Sequence, residues 1–357
     1  MVMVDLMRCT RSAARVFVAA LACLAFYSVL TDKTPARADT AIHFTLDRKI
    51  DGPAAPFFLA IDQGYFKAEG LDVTVDGVNN GPLESVNRLT SGNYDMGVVD
   101  INLLIKFRDA NPGTPIRALF AIFDKPPYAI VARKSHGIAA PKDLEGKKLG
   151  APAADSAFAQ WAIFIKVNAI DGTKVTIENV GPAVLEPMLA AGEVDAITGF
   201  SFTYVDLKDR GVPPDDLRVL LMDDYGVNLY GDVIAVAPAF AVEKPEAVRA
   251  FLRAYVRALR DTVRDPVRAI EALIHHDDTA KKNVELERLR MAIHDNILTP
   301  AVKAEGYGAI DPQRMAAAID QLALTYQFKA KDKAAEVLDP SFLPSAAERS
   351  ASVAASR

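Results

Sequence analysis

Apolar and polar positions change period along the chain in an ordered way. Residues 41–46 alternate apolar and polar, the two-residue period of a strand. Residues 53–66 carry helical spacing, with Pro56 acceptable in the first turn and Gly70 closing the segment. Residues 71–75 predict a second strand, 83–89 a helix, 96–99 a strand and 101–109 a helix. Two strand-like runs, 118–123 and 128–132, flank Asp124-Lys125-Pro126-Pro127. Strands alternating with helices predict an α/β protein with largely parallel sheets. After Asp232 an apolar run, 233–236, gives way to helices over 245–263, 266–275, 284–297 and 312–324, and residues 345–357 are expected to be a flexible tail.

One unit recurs. Gly81-Pro82 is followed by Leu89, Gly92 and Asp95, and Gly181-Pro182 by Leu189, Gly192 and Asp195, at identical spacings and an offset of 100 residues. A predicted strand precedes and follows each copy, so the same strand–helix–strand unit is expected in two lobes; the period is too long for a solenoid. We assign residues 39–130 plus 233–344 to lobe I and residues 131–232 to lobe II. The chain then crosses between lobes twice, at 128–133 and 230–236, which makes a hinge and puts a cleft between the lobes.

The N-terminus alters the composition of the folded part. Arg8, Arg11 and Arg15 precede a fifteen-residue apolar run (16–30), and a polar stretch ends in Ala36-Arg37-Ala38. That order is a secretory signal, read as cleaved after Ala38 and covering residues 1–38. The run is short of the ~20 residues that span a bilayer. A lipoprotein attached at Cys23 is the alternative. Cys9 and Cys23 both fall inside this segment, so residues 39–357 offer no thiolate ligand, disulfide or catalytic cysteine. They also hold 36 Lys and Arg against 44 Asp and Glu, which argues against nucleic acid as a partner.

Ligands of open α/β sheets bind beyond the carboxyl ends of the strands. Those loops supply the candidate site: Arg48, Asp51, Gly52, Pro53, Asn80, Gly81 and Asp100 in lobe I, with Glu84 at a helix start, and Ala153, Ser156, Gly181, Phe200, Ser201 and Tyr225 in lobe II, with Tyr128 at the crossing. Helix starts after Gly81 and Gly181 suit an anion, and Arg48 can grip one in two-pronged fashion. On this reading Arg48→Ala folds normally and binds an anion about tenfold or more weakly. Tyr128, Phe200, Phe202 and Tyr225 suit a flat or apolar ligand. Asp100 and Glu84 suit an amine, although Glu84 equally serves its own helix start.

Signatures of catalysis are missing from the pattern. Gly199-Phe200-Ser201-Phe202-Thr203 lacks the second glycine of a nucleophile elbow, and residues 150–156 lack the Gly-Lys-Ser/Thr ending of a P-loop. His275-His276-Asp277-Asp278 reads as a solvated helix end, because adjacent residues do not converge on one helix face. No metal or cofactor is expected.

The run Gly64-Tyr65-Phe66-Lys67-Ala68-Glu69-Gly70-Leu71-Asp72-Val73, with Phe58-Leu59-Ala60 before it and Ser91-Gly92-Asn93-Tyr94-Asp95-Met96-Gly97 after it, resembles the substrate-binding proteins of nitrate, sulfonate and taurine ABC importers. These share a fold with proteins that bind or make the thiamine pyrimidine precursor. The resemblance covers residues 42–260. It implies a two-lobed type II periplasmic binding protein, exported to the periplasm and monomeric, that captures a small molecule by closing its lobes and delivers it to a membrane permease with its ATPase. Pyrimidine-precursor members resemble the chain at Leu46-Asp47 but usually follow with Trp; Arg48 stands there instead and favours an anionic ligand such as a sulfonate, taurine or nitrate. A binding protein for the pyrimidine precursor or an aromatic compound is the alternative, followed by a pyrimidine-synthesis enzyme of the same fold. The synthases use a histidine and a cysteine-rich iron motif, which the loops of this chain lack.

Overall fold

The structure is a computed structural model and describes residues 39–330 and 333–351; the segment read as an export signal and both cysteines lie outside the described residues. Two five-stranded sheets form the frame. The first runs β2–β1–β3–β10–β4, from β1 (Thr40–Thr45), β2 (Leu71–Asp76), β3 (Met96–Asp100), β4 (Arg117–Ala121) and β10 (Asp232–Val236). The second runs β7–β6–β8–β5–β9, from β5 (Tyr128–Arg133), β6 (Lys148–Ala151), β7 (Thr176–Asn179), β8 (Ala196–Phe200) and β9 (Leu217–Leu221). In each sheet four strands run in one direction, and one antiparallel strand, β10 or β5, lies between the third of them and the edge strand. The expected α/β architecture in two lobes is present. The sheets are mixed, because the strand after each crossing enters its sheet running backwards.

The crossings themselves fall outside the strands. They are residues 122–127 and 222–231, earlier than the expected 128–133 and 230–236. They bond to one another: the Ile122 and Phe123 N–H groups donate to the Asp232 carbonyl, and the Gly231 N–H donates to the Phe123 carbonyl. Arg314 then clamps both, donating to the Asp124 carboxylate at 2.6 Å and to the carbonyls of Asp124 and Leu229, with its guanidinium 3.9 Å from the Tyr230 ring centroid.

The helices of lobe I are α1 (Ala55–Asp62), α2 (Tyr65–Ala68), α3 (Leu83–Ser91) and α4 (Ile101–Ala110). Lobe II carries α5 (Trp161–Val167), α6 (Pro182–Ala191) and α7 (Thr203–Asp209). The C-terminal part adds α8 (Pro238–Glu243), α9 (Pro245–Arg264), α10 (Pro266–His276), α11 (Lys282–Ala292), α12 (Pro300–Glu305) and α13 (Pro312–Leu322). The helix expected over 53–66 is broken into a 3-10 turn (Gly52–Ala54), α1 and α2, because Gly64 takes φ +67°, where a side chain is strained. The helix expected over 284–297 ends in a π-turn, Ile293–Ile297. Segment 345–351, expected to be free, instead folds back: the Tyr307 N–H donates to the Arg349 carbonyl, and Ala351 is buried.

Helix α9 buries Val248, Phe251, Leu252, Tyr255, Val256 and Leu259, the stripe a 3.6-residue period places on one face. That stripe packs with the first sheet through a chain of rings: Phe44–Phe57 at 4.7 Å, Phe44–Phe251 at 5.0 Å, Phe66–Phe251 at 4.9 Å and Phe57–Tyr255 at 4.5 Å between centroids. In lobe II, Val131, Ile197, Leu185 and Leu189 form a smaller core.

The repeat has a structural explanation. Gly92 and Gly192 end α3 and α6 at φ 74° and 77°. Asp95 and Asp195 each accept a backbone N–H from the neighbouring strand, His43 and Lys148, both at 2.8 Å. Leu89 and Leu189 are buried. Three of the repeated positions therefore build two similar sheets; Gly81 and Gly181 differ in conformation, at φ +97° and −70°.

Candidate functional site

The carboxyl end of the first sheet gathers an unusual set of charges. Asp100 closes β3 and Asp232 opens β10, directly opposite it in the antiparallel register. Asp47 and Arg48 follow β1, and Asp51 precedes the 3-10 turn that leads into α1. Arg48 lies inside this group. Its Nη1 is 2.8 Å from Asp232 Oδ2 and 3.1 Å from Asp47 Oδ2, and its Nε is 3.2 Å from Asp51 Oδ2. All four carboxylates are buried. Burial alone would lower the Arg48 pKa, but Asp47, Asp232 and Asp51 together drive it up, so the guanidinium is a fixed cation.

The carboxylates outnumber it. Burial, then Asp232, pushes Asp100 up to about 6. Burial also raises Asp47, against the opposing pull of Arg48. Two oxygens of the group, Asp51 Oδ1 and Asp232 Oδ1, are buried without a hydrogen-bond partner. The site is thus rich in acceptors and short of donors.

Lobe II closes over this group. The Phe200 ring, at the end of β8, lies 5.2 Å from the Arg48 guanidinium carbon, and Phe123 lies 5.6 Å away. Tyr128, at the start of β5, donates its hydroxyl to Asp100 Oδ2 at 2.5 Å and accepts from Asn102 Nδ2 at 2.9 Å. The Ser156 hydroxyl lies against Asp100 without a well-formed hydrogen bond, and the Ser201 hydroxyl is buried and partnerless. Gly81 faces Ala154 across the junction, 3.6 Å from its Cβ to the position a side chain would take. At the rim, α7 pairs with the α11 region through Arg288–Asp206, Lys208–Glu287 and Lys281–Asp209. The expected open cleft is therefore filled by its own walls. What remains is a small cavity between Arg48, Asp51, Pro53, Phe57, Ile122 and Phe123.

Of the residues expected at the site, Arg48, Asp51, Gly52, Pro53, Asp100, Tyr128, Ser156 and Phe200 meet here, with Ser201 next to Phe200. Gly52 allows a close approach: a Cβ there would overlap the Glu285 carbonyl, while its N–H donates to Glu285 Oε2 at 2.6 Å. Burial, then Asp51, raises Glu285 to about 7. Others are occupied elsewhere. Glu84 accepts from Arg88 at 2.7 Å and from the Asn80 N–H at 3.2 Å, serving its own helix. Ala153 and Gly181 are exposed. Tyr225 packs edge-on against Phe164, and its hydroxyl accepts from Arg218. Asp232, Asn102, Phe123 and Glu285 were not foreseen; only Asp232 carried a signal, as the polar residue heading an apolar strand.

Tyr128→Phe removes the donor to Asp100 and leaves that buried carboxylate short of a partner. A loss of about 1–3 kcal/mol in unfolding free energy is expected by urea titration; an unchanged midpoint would mean that the hydroxyl does not hold the junction.

The described residues include no helix long and apolar enough to cross a membrane. Comparison with known proteins fits the fold. The riboflavin-binding protein RibY of Chloroflexus aurantiacus is 28% identical over 208 residues, 56% of this chain and 56% of that protein. A 4-amino-5-hydroxymethyl-2-methylpyrimidine phosphate synthase of Schizosaccharomyces pombe is 26% identical over 62% of this chain and 65% of that protein. The chain thus spans between about half and two thirds of these relatives' length. Among solved structures, the periplasmic aliphatic sulphonate binding protein SsuA of Escherichia coli superposes with a TM-score of 0.67 at 16% identity, covering 84% of this chain and 97% of that one, a likeness of fold. The family model described as NMT1/THI5 like matches residues 53–269, more than half of the sequence, and the chain belongs to that family.

Proposed function

We propose that this chain is an exported solute-binding protein. It holds a small, flat, donor-rich nitrogen heterocycle, neutral or cationic, between its lobes, and passes it to an ABC importer without changing it. The observation that carries the ligand class is the pair of partnerless carboxylate oxygens, Asp51 Oδ1 and Asp232 Oδ1, beside an Arg48 whose charge three carboxylates already neutralise. An anion entering this site meets a surplus of negative charge; N–H donors supply what the buried oxygens lack. Phe123 and Phe200 are the rings available for stacking. The anionic ligand expected from Arg48 alone loses its anchor. Both curated relatives named above are proteins named for nitrogen heterocycles, riboflavin and an aminopyrimidine.

Binding requires the lobes to part, and only a preference of the ligand for the closed form draws them together again. No Cys occurs in residues 39–357, and no His is among the residues gathered around Arg48, so turnover is not expected. A thermal-shift screen decides the ligand class. Aminopyrimidines or flavins are expected to stabilise the chain, by about 2.7 kcal/mol at a hundred times the dissociation constant. Stabilisation by alkanesulfonates, taurine or nitrate instead would overturn it.

A further inference from the structure

Outside the lobe junction, two helices bring three metal-ligating side chains together. His275 and His276 end α10, and Asp62 ends α1. His275 Nδ1 is 3.1 Å from Asp62 Oδ2, and His276 Nε2 is 2.7 Å from Asp62 Oδ1. The three ligand atoms all lie within 4.8 Å of one another. Around a four-coordinate ion with bonds of ~2.0–2.1 Å, ligand atoms stand roughly 3.3 Å apart. The two histidine–carboxylate separations lie within roughly half an ångström of that spacing.

The surroundings favour positive charge. Both helices end here, and a helix end carries about half a negative elementary charge on its unpaired carbonyls. Asp62 adds a carboxylate at such an end, which the helix alone disfavours. His276 is partly fixed by the Phe58 ring, 5.2 Å between centroids, and the two imidazoles sit edge to face at 5.4 Å. Adjacent histidines do not share a helix face, so the sequence reads as a solvated end. Convergence arises because α10 stops at His276, and because α1 delivers Asp62 from 213 residues away in sequence.

We propose that Asp62, His275 and His276 form a site for a divalent transition-metal ion of the zinc, nickel or copper type, at the surface of lobe I and separate from the ligand site. Two imidazoles and one carboxylate suit these borderline ions and not calcium or magnesium. His275, the more exposed of the pair, leaves the rest of the coordination sphere to water.

Zinc titrated calorimetrically into the metal-free chain at neutral pH is expected to bind one per chain with micromolar affinity. Asp62→Asn, which keeps size and shape, and the double variant His275→Ala/His276→Ala should each weaken it by at least about tenfold. His294→Ala, at a separate exposed histidine, should leave it unchanged. Cobalt substitution gives a second readout, a visible absorption band that the double variant loses. Circular dichroism confirms that the variants fold. Absence of saturable binding up to millimolar zinc overturns the site, as does binding that survives both Asp62→Asn and the double substitution.

Discussion

Arg48→Met is expected to destabilise the chain by about 3–5 kcal/mol at pH 7, because it leaves Asp47, Asp51 and Asp232 buried around an uncompensated space. Removing one partner of a buried ion group costs more than the group contributes, since the remaining charges stay desolvated. Asp47 has an escape route: it protonates. The deficit should therefore shrink as pH falls, because Asp47, already raised by burial, loses the opposing pull of Arg48 and takes up a proton more readily. Urea unfolding of wild type and variant at pH 7 and pH 5 measures both effects. A variant that unfolds like the wild type at both pH values would restore Arg48 to the role the sequence suggests, a free cation waiting for an anionic ligand. Structure and sequence thus make opposite forecasts for the loss of the Arg48 charge, and the difference lies in three acceptors that no local pattern placed beside Arg48.

The frame was largely legible because its signals are local. Alternation in β1, the amphipathic stripe of α9 and the hundred-residue repeat each follow from residues close in sequence, and they place two similar sheets in the chain. The orientation of β5 and β10 was not legible. Apart from Arg133 and Asp232 at their ends both are buried and largely apolar, so the pattern between the ends is the same whichever way they run. The repeat was visible but its meaning was not. The sequence shows Asp95 and Asp195 only as repeated acids, and their role as acceptors for strand backbone N–H groups comes from the fold.

For the site, loop position identified Arg48, Asp51, Asp100 and Phe200 without saying how they combine. Asp232 faces Asp100 only through strand pairing between residues 132 positions apart, and Glu285 reaches Gly52 from the C-terminal helices. The same limit hid the convergence of His275 and His276 on Asp62. Charge identity is local, but charge balance belongs to the assembled group. On the proposed function, that balance selects the ligand.

Protonation offers a test of the balance that needs no ligand. Burial, then Asp232, lifts Asp100 to about 6 from 3.8, and burial, then Asp51, lifts Glu285 to about 7 from 4.5. Both folded-state values exceed the unfolded ones, so the native state holds more protons between about pH 4 and 7, and stability falls as pH rises through that window. Carboxylates with depressed values, such as Asp216, whose carboxylate accepts the Ser135 N–H, act only below it and make the chain lose stability in stronger acid. A stability maximum near pH 4 and a decline of a few kcal/mol by pH 8 are expected from melting temperatures across the range. Asp100→Asn isolates one contributor. The asparagine Oδ1 can still cap α4, and its Nδ2 can donate to the Tyr128 hydroxyl in place of accepting from it, so the variant should match wild type near pH 3 and exceed it by about 3 kcal/mol at pH 8. The same linkage sets the sign for binding. A cationic heterocycle prefers the ionised site, and its affinity should rise from pH 5 to pH 8; an anion would show the reverse. A flat stability profile with an unresponsive Asp100→Asn variant would mean that the four carboxylates are not crowded as the structure places them, and the argument for a donor-rich ligand would fall with them.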